Sequence, residues 1–253
     1  MAEYDTFADQ YDQAFTLFPF RTHIEAYSLL KRVGEVRDQA WLDAACGSGP
    51  YARALRRRGA TRVVGIDISG EMLRVARAAE EADPLGIEYV QHDVGDMPVL
   101  GNFDGAIGSY LLHYGTTEEH LRAMCRNIAA NLRPGGRLVT YQLNPAFSRR
   151  PDYYLPYGSE IFLDPDAPLT DGDPVPFRIT VPGFRSPEVT AYYWTRATLD
   201  DALRAAGFAV IRWIMPELSP EAAQGLDPEQ WHDYLAEPLC VVVECVKGPA
   251  TPA

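Results

Sequence analysis

The 253-residue chain is 47% hydrophobic and carries a formal net charge of −12, so it can bury a large core while its mean field repels polyanions and argues against a nucleic-acid partner. Cys46, Cys125, Cys240 and Cys245 show neither paired CxxC spacing nor a neighbouring histidine pattern, which argues against a disulfide framework or a bound metal and fits a reducing cytoplasm. The start is acidic at Glu3 and Asp5, and no apolar run approaches membrane-spanning length, so the expectation is a soluble protein with no signal peptide and no membrane partner.

Two amphipathic helices are predicted first, Tyr4 to Phe15 and Phe20 to Arg32, with Phe7, Tyr11, Ile24, Tyr27 and Leu30 at helical offsets. They form an N-terminal helical cap over residues 1–34. Strands are predicted at Ala40 to Ala44, Val63 to Ile66, Ile87 to Gln91, Gly105 to Tyr110 and Leu138 to Leu143, alternating with helices at Tyr51 to Arg58, Gly70 to Glu81 and Glu118 to Leu132. This alternation means an α/β fold with a doubly wound, mostly parallel sheet, within one domain spanning residues 1–253. Between Asn144 and Pro187 lie nine of the chain's 20 prolines, which excludes an ordinary crossover helix and marks an insertion. The alternating stretches Phe177 to Val181 and Val189 to Trp194 then read as an antiparallel pair joined through Pro182-Gly183. Residues 144–195 are taken together as an inserted substrate lid. Thr195 caps a helix that Gly207 stops, and Ala209 to Ile214 and Leu239 to Val246 complete the strands.

The chemistry centres on Trp41-Leu42-Asp43-Ala44-Ala45-Cys46-Gly47-Ser48-Gly49, a buried strand running into a tight glycine turn, with Asp67 ending the next strand. Gly47 and Gly49 allow close approach of a ligand to the backbone, and Pro50 suits the first helical position. The same residues satisfy the dinucleotide fingerprint, with Asp67 at the offset for a ribose hydroxyl. An NAD-dependent oxidoreductase therefore stays open. Asp43, directly before the turn, favours a different ligand, because a carboxylate there repels a pyrophosphate and suits a cationic amino-acid moiety. Asp93, in Gln91-His92-Asp93-Val94-Gly95-Asp96, is placed to accept from an adenine amino group. His92 is expected on the opposite face if that strand persists.

Together with Phe103-Asp104-Gly105-Ala106 and the turn Arg133-Pro134-Gly135-Gly136, these motifs resemble, in order and spacing from Trp41 to Leu143, the class I S-adenosylmethionine-dependent methyltransferases. The resemblance implies a Rossmann-like seven-stranded sheet with its last strand antiparallel, and S-adenosylmethionine across the ends of strands one to four, leaving as S-adenosylhomocysteine. Asp67 would hold the ribose, Ile68 and Met72 would pack the adenine, and Asp93 with Val94 would read its edge. Ala45, Cys46, Gly47 and Gly49 would line the methionine part, with Ser109 near its amino group. Tyr11 and Arg21 resemble the pair that grips the cofactor carboxylate in small-molecule members, and a guanidinium fork suits that group.

Methyl transfer from a sulfonium can rest largely on alignment and exclusion of water. If the acceptor must lose a proton, His113 after strand four is the first candidate base because histidine titrates near neutral pH. Tyr110 and Tyr114 flank it and join it as catalytic candidates. Tyr141, Tyr154, Tyr192 and Trp194 are the flat residues expected to touch a planar acceptor. The segment Trp231-His232-Asp233-Tyr234-Leu235 resembles small-molecule N-methyltransferases of the toxoflavin (azapteridine) biosynthesis type. That favours a nitrogen-rich heteroaromatic acceptor over a phenol, in specialised metabolism such as antibiotic biosynthesis. The partners expected are this small molecule and, at most, a second copy of the chain in a homodimer. A catalytically silent cofactor-binding protein of the same fold is the remaining alternative.

Overall fold

The computed structural model describes residues 2–222 and 229–249; the Ala/Pro end of the chain lies outside them. A 3-10 turn, Glu3–Thr6, leads into α1 (Ala8–Leu17), and a π-helical turn, Arg21–Ala26, leads into α2 (Tyr27–Val33). The sheet and its crossovers follow as β1 (Ala40–Ala44), α3 (Pro50–Arg57), β2 (Arg62–Asp67), α4 (Gly70–Ala82), β3 (Glu88–Gln91), β4 (Phe103–Ser109), α5 (Glu118–Ala130) and β5 (Leu132–Leu143). A second sheet holds β6 (Ser159–Ile161), β7 (Pro174–Val181), β8 (Phe184–Arg185) and β9 (Val189–Tyr192). Then come α6 (Arg196–Ala205), β10 (Phe208–Ile214), α7 (Glu229–Ala236) and β11 (Cys240–Lys247).

The main sheet has seven strands in the order β10-β11-β5-β4-β1-β2-β3, and β11 alone runs against its neighbours. The alternation read from the sequence therefore gives the expected doubly wound fold, with the last strand antiparallel. Chain order reverses between β1 and β4, and the carboxyl ends of strands at such a switch point leave a crevice for a ligand. Close packing of these two strands is written in one pair. Trp41 and Gly105 are register partners, and a Cβ on Gly105 would stand 2.5 Å from the indole. Side-chain caps begin the crossover helices, with Ser69 accepting from Met72 N and Thr117 from His120 N. One face of the sheet packs Trp41, Tyr141 and Val242 against Ile24 and Leu29 of the N-terminal elements. The other packs Leu42, Ile66 and Val243 against Met124 of α5 and Leu199 of α6.

The second sheet holds the expected antiparallel pair, with a break in its returning arm. Pro182-Gly183 does turn β7 back, but the returning arm is split: Val181 pairs Phe184, whereas Phe177 pairs Val189, a slip of one residue. The break falls at Ser186-Pro187, where proline has no amide to donate and the Ser186 hydroxyl accepts from Ile179 N instead. The arm ends at Tyr192, short of Trp194, and β6 on the other edge of β7 had no clear alternation to announce it. Helix α7 was also unannounced, although Trp231, Tyr234 and Leu235 sit at helical spacing.

Candidate active site

Two cavities meet at the carboxyl edge of the main sheet. The first, a cleft, is bounded by the turn after β1, the ends of β2, β3 and β4, and the N-terminal segment. The second, a chamber, lies between that edge and the small antiparallel sheet. Tyr4, Tyr11, Tyr110 and Tyr114 border both, so they form the wall between them. Tyr4 and Tyr114 close part of that wall with a hydroxyl–hydroxyl bond of 2.5 Å.

The cleft brings together Tyr11, Ala45, Gly47, Asp67, Ile68, Met72, Asp93, Val94 and Ser109. These residues are adjacent because each follows a parallel strand or the turn after one. Asp67 stitches the edge: one carboxylate oxygen accepts from Gly47 N at 2.7 Å, the other from Ser69 N at 2.8 Å. Burial raises its pKa and these amides oppose the rise. Each oxygen keeps a second acceptor position. Ile68 is 56% exposed, and beside buried Met72 it offers a flat ring an apolar seat. The Asp93 carboxylate accepts from Gly95 N at 2.7 Å and lies 3.1 Å from His120 Nε2. A Cβ on Gly95 would stand 2.3 Å from the His120 ring, so glycine makes room for that contact.

Several expectations are corrected. Cys46 and Gly49 do not border the cleft: Cys46 is buried against Gly65, and a Cβ on Gly49, at φ 86°, would stand 2.3 Å from the Tyr89 hydroxyl. Packing on β3 explains that glycine without a ligand. Arg21 borders the chamber; it donates to the Tyr11 hydroxyl at 2.9 Å and lies 3.0 Å from Glu25. His92 does border the cleft, because β3 ends at Gln91 and the alternation stops. Asp43 is buried, one of its oxygens has no partner, and burial pushes its pKa up to about 8, with Asp67 adding to the rise. It is mostly neutral at pH 7 and cannot supply the repulsion expected from sequence.

The cleft nevertheless discriminates between ligands. Among the described residues lining it are Glu3, Asp67 and Asp93 but no lysine or arginine, and the Gly47 amide is already given to Asp67. That environment suits a nucleoside carrying a sulfonium and leaves a pyrophosphate without a cation. The residues present fit S-adenosylmethionine better than a dinucleotide.

In the chamber, His113 is buried and its Nδ1 accepts from Leu143 N at 3.3 Å. The amide can only donate, so the neutral ring carries its proton on Nε2. Burial lowers its pKa to about 4, against a smaller opposing effect of Gln142. The general base expected from the sequence is therefore replaced by a neutral ring with a proton to donate. Tyr110, held at φ 56°, donates to Glu25 at 2.5 Å. Of the residues expected on a planar acceptor, Tyr192 borders the cleft and the other three reach neither cavity. Tyr141 is buried with its hydroxyl 3.1 Å from that of Tyr234. Tyr154 donates to Glu237 O and accepts from Ser148 N, and Trp194 donates to Gly115 O. Satisfying a buried phenol or indole dipole turned these rings into the core.

The chamber instead takes its flat and apolar surface from Phe18, Phe20, Tyr157, Phe177 and Tyr234. Glu25, missed in the sequence, accepts from Tyr51 at 2.6 Å as well as from Tyr110 and Ser109, and pairs with Arg21. It joins the N-terminal segment to α3 and β4. No α-helical pattern could show this, since the π-helical turn rotates Glu25 off the expected face.

Among the described residues no cluster of His, Cys, Asp and Glu could hold a metal ion, and no helix is long and apolar enough to cross a membrane. The methyltransferase domain family matches residues 42–136. The chain is 28% identical over 141 residues to a demethylmenaquinone methyltransferase of Lactococcus lactis, spanning 54% of this chain and 55% of that protein. It is 27% identical over 169 residues to the N-demethylindolmycin N-methyltransferase of Streptomyces griseus, spanning 66% of this chain and 68% of that one. An S-adenosylmethionine-dependent methyltransferase from Mesorhizobium loti superposes with a TM-score of 0.62 at 24% identity, over 88% of this chain and 97% of that one. The domain match falls on the strands whose ends build the cleft, the superposition shows a shared fold, and the chain spans less than two thirds of the length of the first curated relatives it matches.

Proposed function

We propose that the protein transfers the methyl group of S-adenosylmethionine to a small, planar, uncharged acceptor, with nitrogen preferred over oxygen, in cytoplasmic specialised metabolism. The observation that carries this reading is the pairing of a cleft lined by carboxylates with an aromatic chamber through one shared wall of tyrosines. The bound donor supplies an already activated methyl group. Asp67 holds the ribose, Asp93 reads the adenine edge, and Ile68 with Met72 supports the ring. Tyr11 and Arg21, in contact at 2.9 Å, reach toward the carboxylate from the chamber side. The tyrosine wall orients the acceptor and excludes water, and its faces tolerate positive charge.

Residues 1–34 serve as the cap on the cleft and residues 144–195 as the lid on the chamber. A chamber walled by Phe18, Tyr157 and Phe177 suits a flat aromatic molecule. The N-demethylindolmycin N-methyltransferase relative and the resemblance around Trp231 support a nitrogen acceptor. Calorimetric titration with S-adenosylhomocysteine and, separately, with NADH tests the reading. Saturable micromolar binding of the first alone is expected. Binding of NADH with no response to the sulfur nucleoside would overturn it.

A further inference from the structure

Any group that takes a proton from the acceptor would have to line the chamber. Among the described residues lining it there is no aspartate, glutamate or lysine. His113 Nδ1 is occupied by the Leu143 amide, which leaves a proton-bearing nitrogen and no free lone pair on the ring. Tyr110 is committed to Glu25, Tyr4 and Tyr114 to each other, and Tyr234 lies against the Tyr141 hydroxyl. Burial pushes the phenols of Tyr110, Tyr114 and Tyr234 and the thiol of Cys240 well above their ordinary values, so none is poised to ionise. Arg21, the one lysine or arginine among the described residues lining the chamber, is matched by Glu25 at 3.0 Å.

These constraints select among nucleophiles. A phenol or alcohol needs a base that the chamber does not supply. A protonated aliphatic amine would find neither a carboxylate to pair with nor a base to neutralise it. A pre-formed anion would enter an apolar space whose single guanidinium is already neutralised. An azine-type ring nitrogen meets every condition, being uncharged in neutral water, flat, and in possession of an in-plane lone pair.

We infer that the acceptor atom is the sp2 nitrogen of a neutral heteroaromatic ring, methylated without proton transfer to the protein. This rests on the methyltransferase reading above and narrows its substrate class. The ring lone pair forms the N–CH3 bond as the C–S bond breaks, and the electron pair of that bond stays on sulfur as a neutral thioether. The positive charge passes from sulfur to the ring, giving an N-methylated aromatic cation. Tyrosine faces on the wall can accept that charge.

The test uses two uncharged two-ring probes of similar size, quinoline and 1-naphthol, with the full-length protein. Quinoline should bind saturably to the S-adenosylhomocysteine complex in calorimetry. With labelled S-adenosylmethionine, N-methylquinolinium should form at least about a hundredfold faster than 1-methoxynaphthalene, the lower end of what a missing general base removes. Naphthol methylated as fast as quinoline, while S-adenosylhomocysteine still binds, would overturn this inference and leave the methyltransferase reading intact. Failure of S-adenosylhomocysteine itself to bind would remove both.

Discussion

Asp43→Asn should stabilise the folded protein by an amount that grows with pH. The carboxyl is buried at the end of β1, one oxygen lacks a partner, and its pKa rises from 3.8 to about 8 on folding. An acid with a raised folded pKa binds more protons folded than unfolded, so stability falls as pH rises from about 4 and levels off above about 8. The loss is about 1.4 kcal/mol per pH unit within that window. From the two pKa values it amounts to roughly 4 kcal/mol at pH 7 and roughly 6 kcal/mol on the plateau. Asparagine keeps the shape and removes the titration. Urea denaturation of both proteins at pH 5, 7 and 9, extrapolated to water, separates this effect from any constant packing difference. A variant advantage that widens by roughly 3 kcal/mol from pH 5 to pH 7 is expected. A difference of the same size at all three pH values would refute the reasoning, because it would mean that Asp43 does not change its protonation on folding.

Asp67→Ala removes the acceptor of the Gly47 and Ser69 amides and the proposed ribose anchor; affinity for S-adenosylhomocysteine should fall about ten- to a hundredfold by calorimetry. His120→Ala and Gly95→Ala should each weaken that affinity, because one removes and the other displaces the ring 3.1 Å from Asp93. Their effects should not add in the double variant, and full additivity would separate His120 from Asp93. Glu25→Ala leaves the Arg21 guanidinium buried without this carboxylate and should lower stability by about 3–5 kcal/mol in urea. A loss under about 1 kcal/mol would mean that water replaces the carboxylate there.

The parts of the molecule that were legible are those that the chain writes locally. Strand, glycine turn and terminal acid succeed one another within β1 to β3, and a parallel sheet carries every strand end to one edge, so Asp67, Ile68, Met72 and Asp93 meet as the spacing implies. The chamber was not legible, because Phe18, Tyr157, Phe177 and Tyr234 come from four separate parts of the chain whose meeting depends on tertiary packing. Aromatic composition singled out Tyr192, which borders the cleft, together with rings that reach neither cavity. Tyr154 and Trp194 turned inward where backbone groups could satisfy their polar atoms. His113 shows the same limit, since its role depends on the single amide of Leu143, which no spacing rule foretells.

A methyl group is expected to cross from the acid-lined cleft to the aromatic chamber through the wall of Tyr4, Tyr11, Tyr110 and Tyr114. A crystal structure of the protein with S-adenosylmethionine tests it most directly. The expected result places the ribose on Asp67, the adenine edge at Asp93 and the sulfonium methyl facing the chamber between those tyrosines. A nucleoside bound elsewhere, or a methyl group turned away from the chamber, would contradict it.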